Sequence, residues 1–363
     1  MKLTFFKKAI ACYQKKSEEK VHKKYMKRLL NSLPEKKELT TSQKHEILDF
    51  YKRLTGKTII LDSHQYFYSR TGLYSKEYVP TYLYHVDLIG RANMMPYRDA
   101  LADKNMCDIL LPDIKHPKTI LKNQNGYYYM NNEPVSKEEA IIRCQNLHDM
   151  IIKPTLDKHG NGVRSLEVVN GITNHEGATI ESVFNHYDKN FQIQERVKQH
   201  ERMSALNPTS VNTLRIVTYR SGMEILIIYV VIRIGRTGQV IDNQCAGGIS
   251  TTVDKNGRLG KFCYGGYNED KISKTDTGIV LDGYEVPSFN KAIEAVKKQH
   301  FRLPFFDIIG WDIAIDEEGD PVVLEWNANV GLSQSAFGPG FGEYTERIIK
   351  ELWPRKNTLH PDC

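Results

Sequence analysis

The chain of 363 residues is roughly two and a half average domains long, and its 40% hydrophobic and 26% charged residues exclude a mostly disordered chain. No apolar run reaches the ~18 residues of a membrane-crossing helix; the longest, Ile225 to Ile232, has the length of a strand. The net charge of +6 sits in residues 1–28, where ten Lys/Arg face only Glu18 and Glu19, so the remaining body is close to neutral and no nucleic-acid partner is expected.

In chain order, residues 5–33 read as a helix with Phe6, Ile10, Tyr13, Val21, Tyr25 and Leu29 set among lysines. Such a helix either lies solvated on the body or attaches weakly to an anionic membrane surface. Leu3–Phe6 is too short for a signal-peptide core, which makes the cytoplasm the default compartment. Six scattered cysteines without CxxC spacing agree with a reducing compartment. Ser42–Glu46 predicts a capped start for a second helix running to about Leu54. Residues 58–100 are aromatic and loop-rich and carry no assignable motif.

From residue 100 the pattern changes. Ser136-Lys-Glu-Glu139 is a capping box that predicts a helix to about Asp149. A short strand, Met150–Lys153, is stopped by Pro154. A glycine-bearing turn over 159–162 leads into a strand at Ser165–Val169. Strands dominate 211–253, with Thr213–Tyr219 and Glu224–Ile234 joined at Ser221-Gly222. A helix at Asn290–His300, strands at 308–316 and 321–327, and a helix near 342–352 complete an α/β (α+β) body built on antiparallel hairpins.

The most informative stretch runs from Gly310 to Asn327. A four-residue turn at Glu317–Asp320 places Asp312 directly across from Glu325, with Cβ atoms ~5 Å apart, and strand alternation puts Asn327 on the same face. Two carboxylates and an amide oxygen repel when alone and suit a hard cation such as Mg²⁺. An exposed polar strand face and a glycosidase-like carboxylate pair are the alternatives.

Four further features are candidates for handling phosphate. Lys153 ends a strand beside Gly160 and Gly162, where a lysine and backbone N–H groups can meet phosphate oxygens, although a plain surface hairpin looks the same. Arg215 sits mid-strand, either facing solvent or aiming a guanidinium at an anion. Gln194-Glu-Arg-Val197 follows a short extended segment, and Asp242-Asn243 with Gly247-Gly248 forms a polar loop. No Walker motif and no nucleophilic triad is present.

Taken together and in this order, these pieces resemble the ATP-grasp superfamily, most closely its sugar-transfer-associated branch. The resemblance spans about residues 100–350. It rests on Asp103-Lys104, Ile152-Lys-Pro154 with Gly160 and Gly162, Gln194–Val197, Asn212–Arg215 and Asp312…Glu325…Asn327. It implies an ATP-grasp fold in which two α+β subdomains, at 99–196 and 197–355, grip ATP behind an N-terminal region of residues 1–98. It implies that Lys104 and Lys153 hold the α- and β-phosphates under a flap at Gly160–Gly162. Gln194, Glu195 and Val197 would bind adenine and Glu201 the ribose. Arg215 would meet the γ-phosphate. Asp312, Glu325 and Asn327 would ligate two Mg²⁺ ions, with Mn²⁺ as the alternative. The expected reaction is ADP-forming ligation of a small-molecule carboxylate to an amine, with sugar-linked substrates of polysaccharide biosynthesis. A phosphotransferase acting on a hydroxyl, and a non-catalytic ATP-binding module, use the same residues.

Overall fold

Two antiparallel sheets frame the chain, which a computed structural model describes over residues 2–156, 161–239, 242, 247–263, 265 and 271–360. The first sheet holds β1 (Thr119–Gln124), β2 (Tyr127–Met130), β3 (Glu133–Val135), β4 (Leu147–Pro154), β5 (Arg164–Val169), β6 (Ile172–Thr173) and β7 (Phe191–Glu195). Its order is β3-β2-β1-β7-β4-β5-β6. The second holds β8 (Thr213–Ser221), β9 (Glu224–Ile234), β10 (Ile249–Thr252), β11 (Ile308–Ile315) and β12 (Pro321–Asn327), in the order β10-β9-β8-β11-β12. The expected α+β architecture with antiparallel hairpins is therefore the observed one.

Strand alternation gives the second sheet two unlike faces. On one, Leu214, Ile216, Ile309, Trp311, Ile313 and Ile232 bury against the helix Phe289–His300. The other face changes character along its length. At one end Val217, Tyr219 and Ile308 pack against N-terminal residues such as Phe50, Tyr51, Leu83 and Leu88, and against the C-terminal helix Thr345–Leu352. At the other end it presents Arg215, Asp312, Glu325 and Asn327, whose registers place them side by side. The N-terminal region thus covers the apolar half of a face whose polar half stays available for chemistry.

That N-terminal region is mainly helical, with loops at 33–40, 57–61 and 72–80, which corrects in part the loop-rich expectation for residues 58–100. Helices α1 (Lys2–Ser32), α2 (Thr41–Thr55) and α3 (Asp62–Thr71) are followed by a helical run over 81–92 with a π turn at Tyr84–Leu88. Its aromatic residues fill a core, with Tyr66, Tyr78 and Tyr84 each at most 2% exposed. The cap of α2 is Thr40 with Gln43, two residues before the expected one; Thr40 Oγ1 accepts from the Gln43 N–H while Gln43 Oε1 accepts from the Thr40 N–H. Ser136 caps its helix as expected, but that helix ends at Arg143 and β4 begins at Leu147. Cys12, Cys107, Cys144 and Cys263 are free thiols.

Candidate active site

The hairpin β11–β12 reaches the expected pairing by two offsets that cancel. Its loop has three residues, Glu317–Gly319, closed by Asp316 and Asp320, in place of the expected four. Gly319 at φ +78 permits this tighter turn. Continued regularly from there, the ladder would set Asp312 against Leu324 and turn Glu325 toward the core. A bulge at Leu324 restores the phase, and Asp312 lies opposite Glu325 with Asn327 opposite Gly310. Glycine is required at 310, because a Cβ there would come within 2.7 Å of Val330 Cγ2 where the 328–332 loop crosses β11.

The two carboxylates do not stand in mutual repulsion, as the sequence suggested for a cation-free trio; side-chain cations neutralise both. Arg215 donates from Nε and Nη2 to Asp312 at 2.5 and 2.8 Å, and Arg233 Nη1 reaches Asp312 Oδ2 at 3.2 Å. Burial alone would raise the Asp312 carboxyl, but the two guanidinium groups outweigh it and hold the carboxyl well below the usual range. Glu325 is met by Lys104 Nζ at 3.2 Å and accepts from Asn327 Nδ2 at 3.3 Å. Lys104 itself is anchored by Thr155, whose carbonyl accepts from its N–H and its Nζ at 3.4 Å each. The hairpin loop has a second acidic group, Asp316, Glu318 and Asp320. Lys115 bridges all three and Lys291 also pairs with Asp320, so these acids close the hairpin.

On the first sheet, Lys122, Gln192 and Lys153 form one row across β1, β7 and β4. Burial, and then the neighbouring Lys104 charge, push the Lys153 amine down to about 8, against the pull of Glu325 and Asp312. Gln192 is 1% exposed, and neither atom of its amide has a hydrogen-bond partner among the described residues. Gln194 donates through Nε2 to Thr119 Oγ1 at 2.9 Å, which leaves its carbonyl oxygen as an acceptor. The Glu195 N–H bonds the Lys118 carbonyl and its carboxylate pairs with Lys118 Nζ at 2.8 Å. Val197 lies in the connection between the sheets, and its N–H donates to nothing among the described residues. Glu201 is exposed in the first turn of the helix Glu201–Leu206 that follows. Gly162 has φ +72, and a Cβ there would lie 2.8 Å from Pro154 Cγ, so the base of the flap folds back on β4. Gly160 and Asn243 lie outside the described residues.

Sequence reasoning missed Arg233, Thr155 and Tyr229. Arg233 carried the same signal as Arg215, a guanidinium inside an apolar strand between Ile232 and Ile234. Tyr229 donates its hydroxyl to the Gly331 carbonyl at 2.5 Å, tying β9 to the loop beside the site. Nothing in the sequence pointed to Thr155, because its contribution is a backbone oxygen. Asp242 accepts from Thr213 Oγ1, and burial raises its carboxyl to about 6 against the pull of Arg233. Asn207, Ser210 and Asn212 form a buried hydrogen-bonded knot with Gln199 that fixes the start of β8.

Two sheets joined by the 196–212 connection, with Lys153 on the first, Lys104 in a turn beside it and the acidic trio on the second, define an ATP-grasp protein. Residues 84–349 match the family model for sugar-transfer associated ATP-grasp, and the chain belongs to that family. No match to a curated protein was found. Among solved structures, the chain is similar to an L-amino acid ligase from Bacillus licheniformis (9% identity, TM-score 0.40), covering 72% of this chain and 49% of that one. It is also similar to the VanG D-Ala:D-Ser ligase from Enterococcus faecalis (13%, TM-score 0.41; 69% and 60% covered). A third is the D-alanine–D-alanine ligase from Bacillus anthracis complexed with ATP (13%, TM-score 0.38; 70% and 67% covered). The chain spans about half the length of the first of these.

Proposed function

We propose that the chain is an ATP-dependent, ADP-forming ligase that joins a carboxylate to an amine in the cytoplasm. The amine would be an amino acid or a similar amine, and the carboxylate a sugar acid or another acid used in surface polysaccharide synthesis. The observation that carries this reading is the row of Asp312, Glu325 and Asn327 on one strand face, met by Arg215, Arg233 and Lys104. Its donors are all hard oxygens, which fits Mg²⁺, with two ions expected and Mn²⁺ as the alternative. Bound there, the metal would neutralise charge on the β- and γ-phosphate oxygens.

The protein's own groups would do the rest. Lys104 and Lys153 bind the α- and β-phosphates, and the segment through Gly160 and Gly162 covers them. The Gln194 carbonyl oxygen, the Glu195 backbone and the Val197 N–H hold adenine, and Glu201 holds the ribose. Arg215 neutralises charge as a substrate carboxylate oxygen attacks the γ-phosphorus and the bond to ADP breaks. The amine nitrogen then attacks the acyl carbon, the carbon–oxygen bond to phosphate breaks, and the amine proton leaves to solvent. Water must be excluded meanwhile, since the acyl phosphate hydrolyses.

The test is a product analysis with Mg²⁺, ATP and pooled acids and amines. ADP with equal free phosphate, dependent on both pools, is expected. ADP with a phosphorylated acceptor and no free phosphate would replace the ligase with a phosphotransferase. Arg215→Met should lower the rate on the order of 10²–10³-fold, and Glu325→Ala should abolish turnover while the circular dichroism spectrum is unchanged.

A further inference from the structure

Helix α1 has a committed inner side and an outer side that the body does not use. On the inner side Met26 and Leu30 pack with Tyr66, Phe67 and Tyr78, Lys15 pairs with buried Asp87 at 2.7 Å, and His22 stacks on His85 at 4.9 Å. On the outer side Lys16, Lys20, Lys24 and Lys27 follow at helical spacing, all exposed and without an ion-pair partner among the described residues. With Lys23 they line a groove of about 550 Å³ whose acids are Glu19 and Asp62, and Glu19 is already held by Lys23 at 3.1 Å. Like charges at these spacings destabilise a helix, and the acids near them are few: Glu19 is held by Lys23, Glu18 reaches His360 at 3.2 Å, and Asp62 alone faces the other lysines in the groove. Large apolar side chains stand among the lysines: Ile10, Tyr13 and Val21 are 55, 75 and 64% exposed. Tyr13 continues the lysine ridge, while Ile10 and Val21 lie on the ridge beside it with Arg28.

We propose that this face of α1 lies flat on an anionic lipid bilayer, its lysines among the headgroup phosphates and Ile10, Tyr13 and Val21 at the acyl boundary. Isolated lysines would serve a nucleic-acid backbone equally well. The interleaved apolar side chains favour the bilayer, because they gain by leaving water only where there is an apolar layer to enter. No described helix is long and apolar enough to cross a membrane, so attachment is to the surface.

The docking has a consequence for the site. Helix α1 packs on α3, and α3 packs on the short helix Gln334–Phe337. Gln334 clasps the Val79 backbone through both its amide atoms, and its helix continues from the loop at Gly331 beside the site. One helical layer therefore joins the membrane face to the loop at Gly331 beside the site, which suits a substrate presented at a bilayer surface. This last step rests on the ligase reading; the docking itself does not.

Co-sedimentation of the full chain with phosphatidylglycerol or phosphatidylcholine vesicles, without nucleotide, tests the docking. Binding to phosphatidylglycerol alone is expected, and it should weaken as salt rises from ~0.1 to ~1 M and the screening length falls from about 10 to about 3 Å. K16Q/K20Q/K24Q/K27Q should weaken vesicle binding on the order of 10²–10³-fold, and I10S/Y13S/V21S should weaken it even at the lowest salt. These side chains are exposed and the lysine substitutions only relieve like-charge repulsion, so thermal stability should not fall and nucleotide affinity should not change in either variant. Wild-type protein left in the supernatant, or a lysine variant that sediments like wild type, would overturn the proposal. Tighter binding to double-stranded DNA than to the vesicles would assign the face to nucleic acid instead. A failed ligase assay would leave the vesicle result standing, and the reverse also holds.

Discussion

Asp312 is shared by two arginines, and that sharing sets how the site responds to a cation. A metal ion bound at Asp312 would compete with these guanidinium groups for the carboxylate oxygens. Arg233→Met removes one competitor and should tighten Mn²⁺ binding by about an order of magnitude, measured by paramagnetic resonance of free Mn²⁺. Asp312→Asn should weaken it; unchanged affinity in both would remove Asp312 from the metal site. Lys153 gives a pH dependence of definite sign. Its amine titrates near 8 because it is buried beside Lys104, so it is charged below that pH and neutral above. An anionic nucleotide favours the charged form, so affinity should fall, and binding should take up a proton, as pH rises through 8. Lys153→Arg stays charged and should bind with a flat profile across that range; a profile as steep as wild type would place the titration elsewhere.

The hairpin β11–β12 shows what local pattern can and cannot determine. Asp312 and Glu325 were legible as opposite partners because the spacing of the acids is short. The route to that pairing was not legible, since loop length and bulge depend on how Gly319 and Leu324 settle against neighbouring strands. Gly319→Val would force a β-branched side chain to φ +78 and should cost about 1–2 kcal/mol of unfolding free energy in urea titration. Trp311 and Trp326 flank the acids in sequence, which suggests fluorescent reporters of nucleotide binding. Alternation turns them to the other face, where they are 0 and 3% exposed, Trp326 against Phe306. Their emission maximum should stay fixed when nucleotide binds and shift red only on unfolding; a large shift on binding would mean that the core itself moves.

The whole molecule depends on its N-terminal 98 residues. Val217, Tyr219, Leu226, Ile228 and Ile308 of the second sheet are buried largely by that region. A chain beginning at residue 99 should expose them and aggregate, as read by light scattering; a monodisperse, nucleotide-binding fragment would make the first 98 residues a separate unit. Asp87 links the layers, pairing with Lys15 of α1 at 2.7 Å, Lys57 at 3.3 Å and Arg91 at 3.6 Å while 1% exposed. Asp87→Ala leaves three cations around an apolar site and should cost about 3–5 kcal/mol in urea unfolding.

The sequence by itself determined the strands of the second sheet, the acidic hairpin and the order of the candidate-site motifs, because alternation and short-range spacing are local properties. The residue pairing of Arg215 and Asp312 crosses 97 positions, and that of Arg233 and Asp312 crosses 79. Lys104 meets Glu325 from a helical turn ahead of the first sheet. Much of the aromatic run of residues 58–100 became helix because a buried face was waiting for it on a sheet more than a hundred residues away. Tertiary structure alone decided these contacts, since each depends on which distant charge or apolar surface is brought close enough to repay desolvation.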